Sequence, residues 1–379
     1  PINVRIHPYL KNKFAKVTVD TAKNFKPDKI LLWDKVSDSF EAQRIISLFT
    51  NAEVKIIKEQ KLSYAEPISA AEALRNSKKT LMIGETSSFI NRFDGNIGKN
   101  MRCFPYYKLV PLSNGCPYNC VYCYLAYVYR KYGAFIKINI NYNKMLKQIN
   151  KLAECNPDKI CFNFGEMLDS LALDHITNIT TMLVPLFKKY NNKYLMMLTK
   201  SSNIENLLKM KPNRQVVVSW SLNPQTIIDK FEIGTASLDE RINAAKKCQE
   251  HGYRIRFRID PGILYGNWKA DYESLLKKIF AHTEPENITI GMLRLFKGHI
   301  NLSKRAYDIK NNLKLFESLQ ETAQDNKLRY KFEHRIEFYK HLIDVMFGYD
   351  KKISIGICRE SREIFNQLNF KGNTCNCIA

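Results

Sequence analysis

The sequence predicts an α/β protein whose parallel sheet, wrapped by helices, curls into a partial barrel. Three observations carry this expectation. Strand-like apolar runs alternate with helical stretches through most of the 379 residues. Hydrophobic residues make up 45% and charged residues 25%, the balance of a folded chain with a real core rather than a disordered one. A cysteine-rich loop directly follows one apolar run, which is where such folds gather their chemistry.

The segment 1–98 reads as a small α/β unit. Lys29-Ile30-Leu31-Leu32-Trp33 is a strand, and Val54-Lys55-Ile56-Ile57 is a second. Between them Ser37 to Thr50 is helical, with Phe40, Ile45, Ile46 and Phe49 as its apolar residues. No glycine-rich phosphate loop follows either strand, so no nucleotide site is expected there.

The segment 99–300 continues the alternation. Its strands are Lys108 to Leu112, Lys159 to Phe164, Tyr194 to Lys200, Val216 to Leu222, Arg254 to Asp260 and Ile288 to Leu293. Helices are expected between them, among others at Ile176 to Lys189 and Leu238 to Glu250. Residues 301–379 read as a helical and then irregular tail ending in Cys375-Asn376-Cys377.

Lys and Arg number 59 against 37 Asp and Glu, a net charge of +22 that favours nucleic acid as partner. The chain is also rich in Lys, Asn and Ile, as coding bias alone would make it. No run approaches the roughly 18 apolar residues of a membrane span. No basic-then-apolar leader opens the sequence, so a cytoplasmic, membrane-free protein is expected. In that reducing compartment ten cysteines point to metal or redox chemistry rather than to disulfides.

Cys116-Pro117-Tyr118-Asn119-Cys120-Val121-Tyr122-Cys123 sets three cysteines at CxxxCxxC spacing just after a strand and Gly115. Random placement of ten cysteines would give this roughly 0.007 times per chain. Structural zinc takes four ligands. Three local thiolates suit a [4Fe–4S] cluster with one iron left open. Zinc with a distant fourth ligand, or thiols simply packed in a loop, are the plainer readings.

This motif, with an aromatic residue before its third cysteine, resembles the radical S-adenosylmethionine superfamily. Within it the chain is similar to the spore photoproduct lyase family from Lys26-Pro27-Asp28 to about residue 300. Asn114-Gly115-Cys116 through Cys123-Tyr124-Leu125, Leu173-Asp174-His175, Leu198-Thr199-Lys200, Ser221-Leu222-Asn223 and Gly234-Thr235-Ala236-Ser237-Leu238-Asp239 carry the likeness.

The resemblance implies a (β/α)6-type radical SAM barrel with an N-terminal α/β segment and a C-terminal tail. Cys116, Cys120 and Cys123 would hold the cluster, and its open iron would chelate S-adenosylmethionine. An external one-electron reductant of flavodoxin or ferredoxin type would feed it. The 5′-deoxyadenosyl radical so formed would take a hydrogen from a nucleic-acid base. Tyr122 would pack on the adenine, and Tyr124 matches a tyrosine that relays hydrogen. Gly165 and Glu166 would meet the methionine ammonium, Lys200 its carboxylate, and Ser221 and Asn223 the ribose. Asp169, Asp174 and His175 would line the substrate side or cap a helix.

At about the position of Glu166 the family carries a cysteine that returns a hydrogen atom to the product radical. Cys161, five residues earlier, reads as a buried, inert thiol. The tail offers Cys358, Cys375 and Cys377. They could sit over the cluster as the missing donor, hold a second iron–sulfur cluster or zinc with Cys103, or be incidental thiols of a frayed terminus. Arg254, Arg256, Arg258 and Lys304-Arg305 could meet phosphates, and Tyr265 and Trp268 could stack on a base. Two other functions fit the composition: a radical enzyme acting on a peptide or metabolite, and a non-catalytic iron–sulfur module that binds nucleic acid. Lys200, Ser221 and Asn223 speak against the latter.

Overall fold

A computed structural model of the chain describes residues 25–60, 69–101, 103–113, 116–128, 135–306, 314–321, 325, 327–371 and 374–378. In chain order its strands are β1 (Lys29–Trp33), β2 (Glu53–Ile57), β3 (Thr80–Gly84), β4 (Ile90–Phe93), β5 (Tyr106–Leu109), β6 (Leu112–Ser113), β7 (Asn119–Cys120) and β8 (Ile136–Asn139). They continue as β9 (Ile160–Phe164), β10 (Lys193–Thr199), β11 (Val216–Ser221), β12 (Glu232–Ile233), β13 (Arg254–Gly262), β14 (Asn287–Met292), β15 (Arg294–Leu295), β16 (Leu319–Glu321), β17 (Leu328–Tyr330) and β18 (Ser354–Ile357).

The expected partial barrel is the main sheet, in the order β18-β14-β13-β11-β10-β9-β5-β4. All neighbours in it run parallel except β4, which is antiparallel to β5. Its central strands are buried on both faces, as in β11, where all of Val216–Ser221 is buried. Helices Tyr142–Cys155, Ile179–Phe187, Leu238–His251 and Trp268–His282 link successive strands. Helix Leu238–His251 starts at a capping box between Ser237 and Glu240 and stops at Gly252, which is left-handed at φ 107°.

A second sheet, β2-β1-β3-β8-β6, is the N-terminal unit. The structure crosses every boundary expected from sequence. The N-terminal segment lends β4 to the barrel, and the barrel segment lends β6 and β8 to the small sheet. The tail is not irregular throughout. It forms helix Phe332–Tyr349 and contributes β18, the edge strand beside β14.

After β18 the chain turns back inside the barrel. Thr374 Oγ1 donates to Ile355 O at 2.9 Å, and Asn376 N donates to Thr289 Oγ1 at 2.9 Å. Cys375 and Cys377 then pack against Tyr106, Cys161, Met196 and Val217 in the lumen. Gly356 permits this approach, because a Cβ there would lie 2.8 Å from Thr374 O and 3.2 Å from Cys375 Cα.

Candidate active site

The cysteine loop is fixed from several sides. Its short strand β7 pairs antiparallel with β12, setting Cys120 opposite Glu232. The Val121 carbonyl accepts from His299 Nε2 at 3.0 Å and from Ser303 Oγ at 2.7 Å, both on helix His299–Ala306. Lys78 donates to the Cys116 carbonyl. Asn114 and Gly115 lie outside the described residues.

Cys116, Cys120 and Cys123 are free thiols lining a cavity of about 550 Å³. Burial pushes the Cys120 thiol up to about 12, and Cys116 is raised for the same reason. Thiols so protected from ionising, as Cys116 and Cys120 are, make poor free nucleophiles. They suit a metal centre that takes the place of their protons.

The same cavity is lined by Tyr122, Tyr124, Gly165, Glu166, Lys200 and Ser221. Here the sequence reading and the structure meet, because these residues close β9, β10 and β11 or sit in the loop. Gly165 has φ 151°, and a Cβ on it would stand 2.7 Å from Leu198 Cβ and 2.8 Å from Leu198 N. Only glycine lets β9 end this close to β10. Tyr124 is the most exposed of the set, with Phe296 5.3 Å away and Lys327 Nζ 5.9 Å over its ring.

Asn223 behaves differently from the expectation. It is fully buried and does not line the cavity. Its amide donates to Glu232 Oε1 at 2.9 Å and accepts from Tyr272 Oη at 3.0 Å, so protein groups take up the contacts expected for a ribose. Asp169 borders the cavity but works as a clamp. It accepts from Leu171 N, Ala172 N, Thr199 Oγ1 and Lys200 N, which locks the end of β10. Asp174 bonds Thr180 and Asn206, and His175 meets Asn203, away from the cavity.

The residue missed in the sequence is Glu232. It is fully buried and accepts from Tyr122 Oη, from Lys200 Nζ at 3.0 Å and from Asn223 Nδ2 at 2.9 Å. Lys200 Nζ also donates to Ser221 Oγ at 2.7 Å. Burial alone would raise the Glu232 carboxyl, but Lys200 and then Arg241 hold it well below the usual range. Its partners are remote in sequence.

The floor of the cavity is an ion-pair chain that includes Glu166, Arg258, Asp260 and Arg294. Arg258 bonds Glu166 and, at 2.9 Å, Asp260 Oδ2, which Arg294 also meets at 2.8 Å. Burial would raise Glu166, yet Arg258 and Arg359 bring it to about 2, so it is ionised. Arg256 is shared between Glu286 and the carbonyls of Cys375 and Ile378, and Arg254 pairs with Glu286. These three arginines are therefore already paired within the chain. Removing the partner of such a buried charge costs about 3–5 kcal/mol. Tyr265 packs edge-on against Phe231, and Trp268, at the start of its helix, against Phe338 and His341, both outside the cavity lining. Lys304 and Arg305 stay on the exposed face of their helix.

The tail thiols are neither frayed nor placed over the loop. Cys358, Cys375 and Cys377 are buried beneath the floor. Cys358 Sγ lies 3.2 Å from Arg258 Nη2 and 3.7 Å from Arg294 Nη2. Cys377 Sγ lies 4.0 Å from Arg258 Nη1 and 3.4 Å from Glu166 Oε1. Among the described residues no group of three or more His, Cys, Asp or Glu is arranged around a metal position, the three-cysteine loop included. At the tail, guanidinium groups already stand where a cation would have to enter.

A partial parallel barrel with a three-cysteine loop over its carboxyl-terminal strand ends is the architecture of the radical S-adenosylmethionine class. A sequence model of spore photoproduct lyase matches residues 25–334, and the chain belongs to the spore photoproduct lyase family. Spore photoproduct lyase of Clostridium acetobutylicum is 30% identical over 173 residues, 45% of this chain and 50% of that protein. The Bacillus subtilis enzyme is 29% identical over 208 residues, 55% of this chain and 58% of that protein. The chain thus spans about half the length of the curated relatives it matches. A mutant spore photoproduct lyase solved with a dinucleoside spore photoproduct superposes with a TM-score of 0.75 at 19% identity, covering 87% of this chain and 98% of that one. Another, with bound AdoMet and the same dinucleoside, gives 0.74 at 19% identity, covering 88% and 98%. At that identity the likeness is one of fold. The tail cysteines lie beyond the matched segment.

Proposed function

We propose that this protein is a radical S-adenosylmethionine enzyme acting on a nucleic-acid base, in lesion repair or base modification. One observation carries the reading. Three otherwise unassigned thiols share a single cavity with a Gly-Glu strand end, a lysine and a serine. A mere structural cluster has no need of such a lining. Bound on Cys116, Cys120 and Cys123, a [4Fe–4S] centre with S-adenosylmethionine would supply a 5′-deoxyadenosyl radical.

The chain's own groups then have defined tasks. Lys200, resting on Ser221 and Glu232, offers its ammonium to the methionine carboxylate. Glu166 is ionised and can accept from the methionine ammonium. Ser221 Oγ is left to meet a ribose hydroxyl once Lys200 turns to the carboxylate. Tyr122 presents its ring toward the adenine, and Tyr124 stands at the mouth, where a substrate base would arrive. The walls exclude water from the reacting atoms.

For the hydrogen returned to the product, Cys377 is our candidate, with Cys375 as its neighbour. It is the thiol in contact with Glu166, and movement of that carboxylate would open its path. The alternative, a second iron–sulfur cluster or zinc on Cys358, Cys375 and Cys377, has the Arg258 and Arg294 guanidinium groups against it. The net charge of +22 and the relatives solved with a dinucleoside photoproduct support a nucleic-acid substrate. A flavodoxin- or ferredoxin-type reductant would supply the electron. No helix of the described residues is long and apolar enough to cross a membrane.

The test is anaerobic reconstitution. The intact chain should take up a [4Fe–4S] centre and cleave S-adenosylmethionine reductively. Cys120→Ala should lose both. Full cleavage by that variant would sink the assignment.

A further inference from the structure

Glu232 stands at the junction of the cysteine loop and the cofactor-binding strand ends. Its backbone pairs with Cys120, and its carboxylate receives Tyr122, Lys200 and Asn223 on one oxygen. Arg241 Nη2 lies 2.7 Å from the other oxygen, an ion contact rather than an aligned hydrogen bond. Arg241 itself is anchored to the carbonyls of Ala236 and Ser221. Glu232 and Arg241 have no exposed side-chain surface, and Lys200 has 16%.

Two cations share one carboxylate here, so the group carries one positive charge in excess. That excess matches the single carboxylate of an amino-acid cofactor. The negative charge is fixed, however, on a fully buried side chain of a residue whose backbone pairs directly with Cys120. Charges at this range act through a medium of low dielectric and are weakly screened. Adding an electron to a centre beside a fixed anion is disfavoured, and a neighbouring cation favours it. Charge and hydrogen bonding around the ligand sulfurs set the potentials of iron–sulfur clusters.

We infer that Glu232 is a positioning residue whose charge lowers the reduction potential of a cluster held by the cysteine loop, with Lys200 as the opposing charge. The inference rests on the cluster reading above. It gives the buried carboxylate a task beyond tying the loop down, because a merely structural anchor would alter cluster content and not potential.

The test uses the full chain, reconstituted anaerobically, with a dye-mediated redox titration followed by electron paramagnetic resonance. Glu232→Gln should move the midpoint to more positive values, and Lys200→Met should move it to more negative values. Tyr122→Phe keeps both charges and should leave the midpoint near that of the parent. If Glu232→Gln takes up no cluster, Lys200→Met decides alone, since its side chain is partly exposed and its loss leaves Glu232 in place. Loaded variants with unmoved midpoints would overturn the inference and leave the cluster assignment standing. A parent chain that binds no iron would overturn the assignment, and the inference with it.

Discussion

Cys377, in the segment after β18, places its sulfur 3.4 Å from Oε1 of Glu166, at the close of β9. The two residues are 211 positions apart. Glu166 stands at about the position where the family resemblance implies a thiol, and a tail thiol lies directly behind it. The tail therefore reaches the cavity from below, through the lumen.

This relationship separates the readings of the tail. Exchanging both thiols, Cys375→Ala with Cys377→Ala, is expected to leave iron content unchanged, because Arg258 stands beside the Cys377 sulfur and Arg256 beside the Cys375 carbonyl, where a cation would have to enter. Cleavage of S-adenosylmethionine should persist while product formation falls or is diverted. Iron and zinc analysis beside product chromatography checks this. A loss of metal would favour the ligand reading. Unchanged metal, cleavage and product would make the tail incidental.

Nucleic-acid binding should weaken steeply as salt rises. Each phosphate contact by a lysine or arginine releases condensed counterions, so the logarithm of affinity falls with the logarithm of salt by about 0.7–0.9 per contact. Fluorescence anisotropy with single-stranded DNA, duplex DNA and RNA at several salt concentrations measures the slope. Absence of binding at low salt would move a peptide or small metabolite ahead as substrate.

Acid should loosen the seat of the cysteine loop through His299. Burial brings this imidazole down to about 4, against a partly opposing hydrogen bond to Val121 O. Between its ordinary pKa near 6.5 and about 4, the unfolded chain binds a proton that the folded chain refuses. Stability is therefore complete above 6.5 and falls as pH drops toward 4, by about 2 kcal/mol between pH 7 and pH 5. Thermal midpoints of the metal-free chain across that range should fall. His299→Gln keeps a donor for Val121 and should flatten the part of the curve due to this residue.

The strands that carry chemistry were legible because each is a short apolar run ending in a polar residue. Gly165-Glu166, Thr199-Lys200 and Ser221 could be placed at strand ends from sequence alone. The arginines of β13 were misjudged. Arg254, Arg256 and Arg258 alternate with Ile255, Phe257 and Ile259, which reads as one wet face and one dry one. Both faces are covered here, and the charges are met by Glu286, Glu166 and Asp260, whose positions only the closed barrel reveals. Ser354-Ile355-Gly356-Ile357 is too short a run to announce a strand without its neighbour β14. Glu232 gave no signal, because its role comes from four partners gathered by three different strand connections.

Strand β18 and the segment 374–378 leave the ribosome after the rest of the barrel. Domains generally fold as the chain emerges, amino-terminal parts first. For part of its synthesis the nascent sheet therefore has an open edge at β14 and an unplugged lumen. Until that segment arrives, Arg258 and Glu166 face water rather than Cys358 and Cys377. A chain stalled or clipped before residue 354 would keep the three-cysteine loop and every cavity residue up to Lys327. It would nevertheless present a wet, unlocked interior and lack Arg359 and the tail thiols, so truncation there would strike the closing of the barrel together with the chemistry proposed for it.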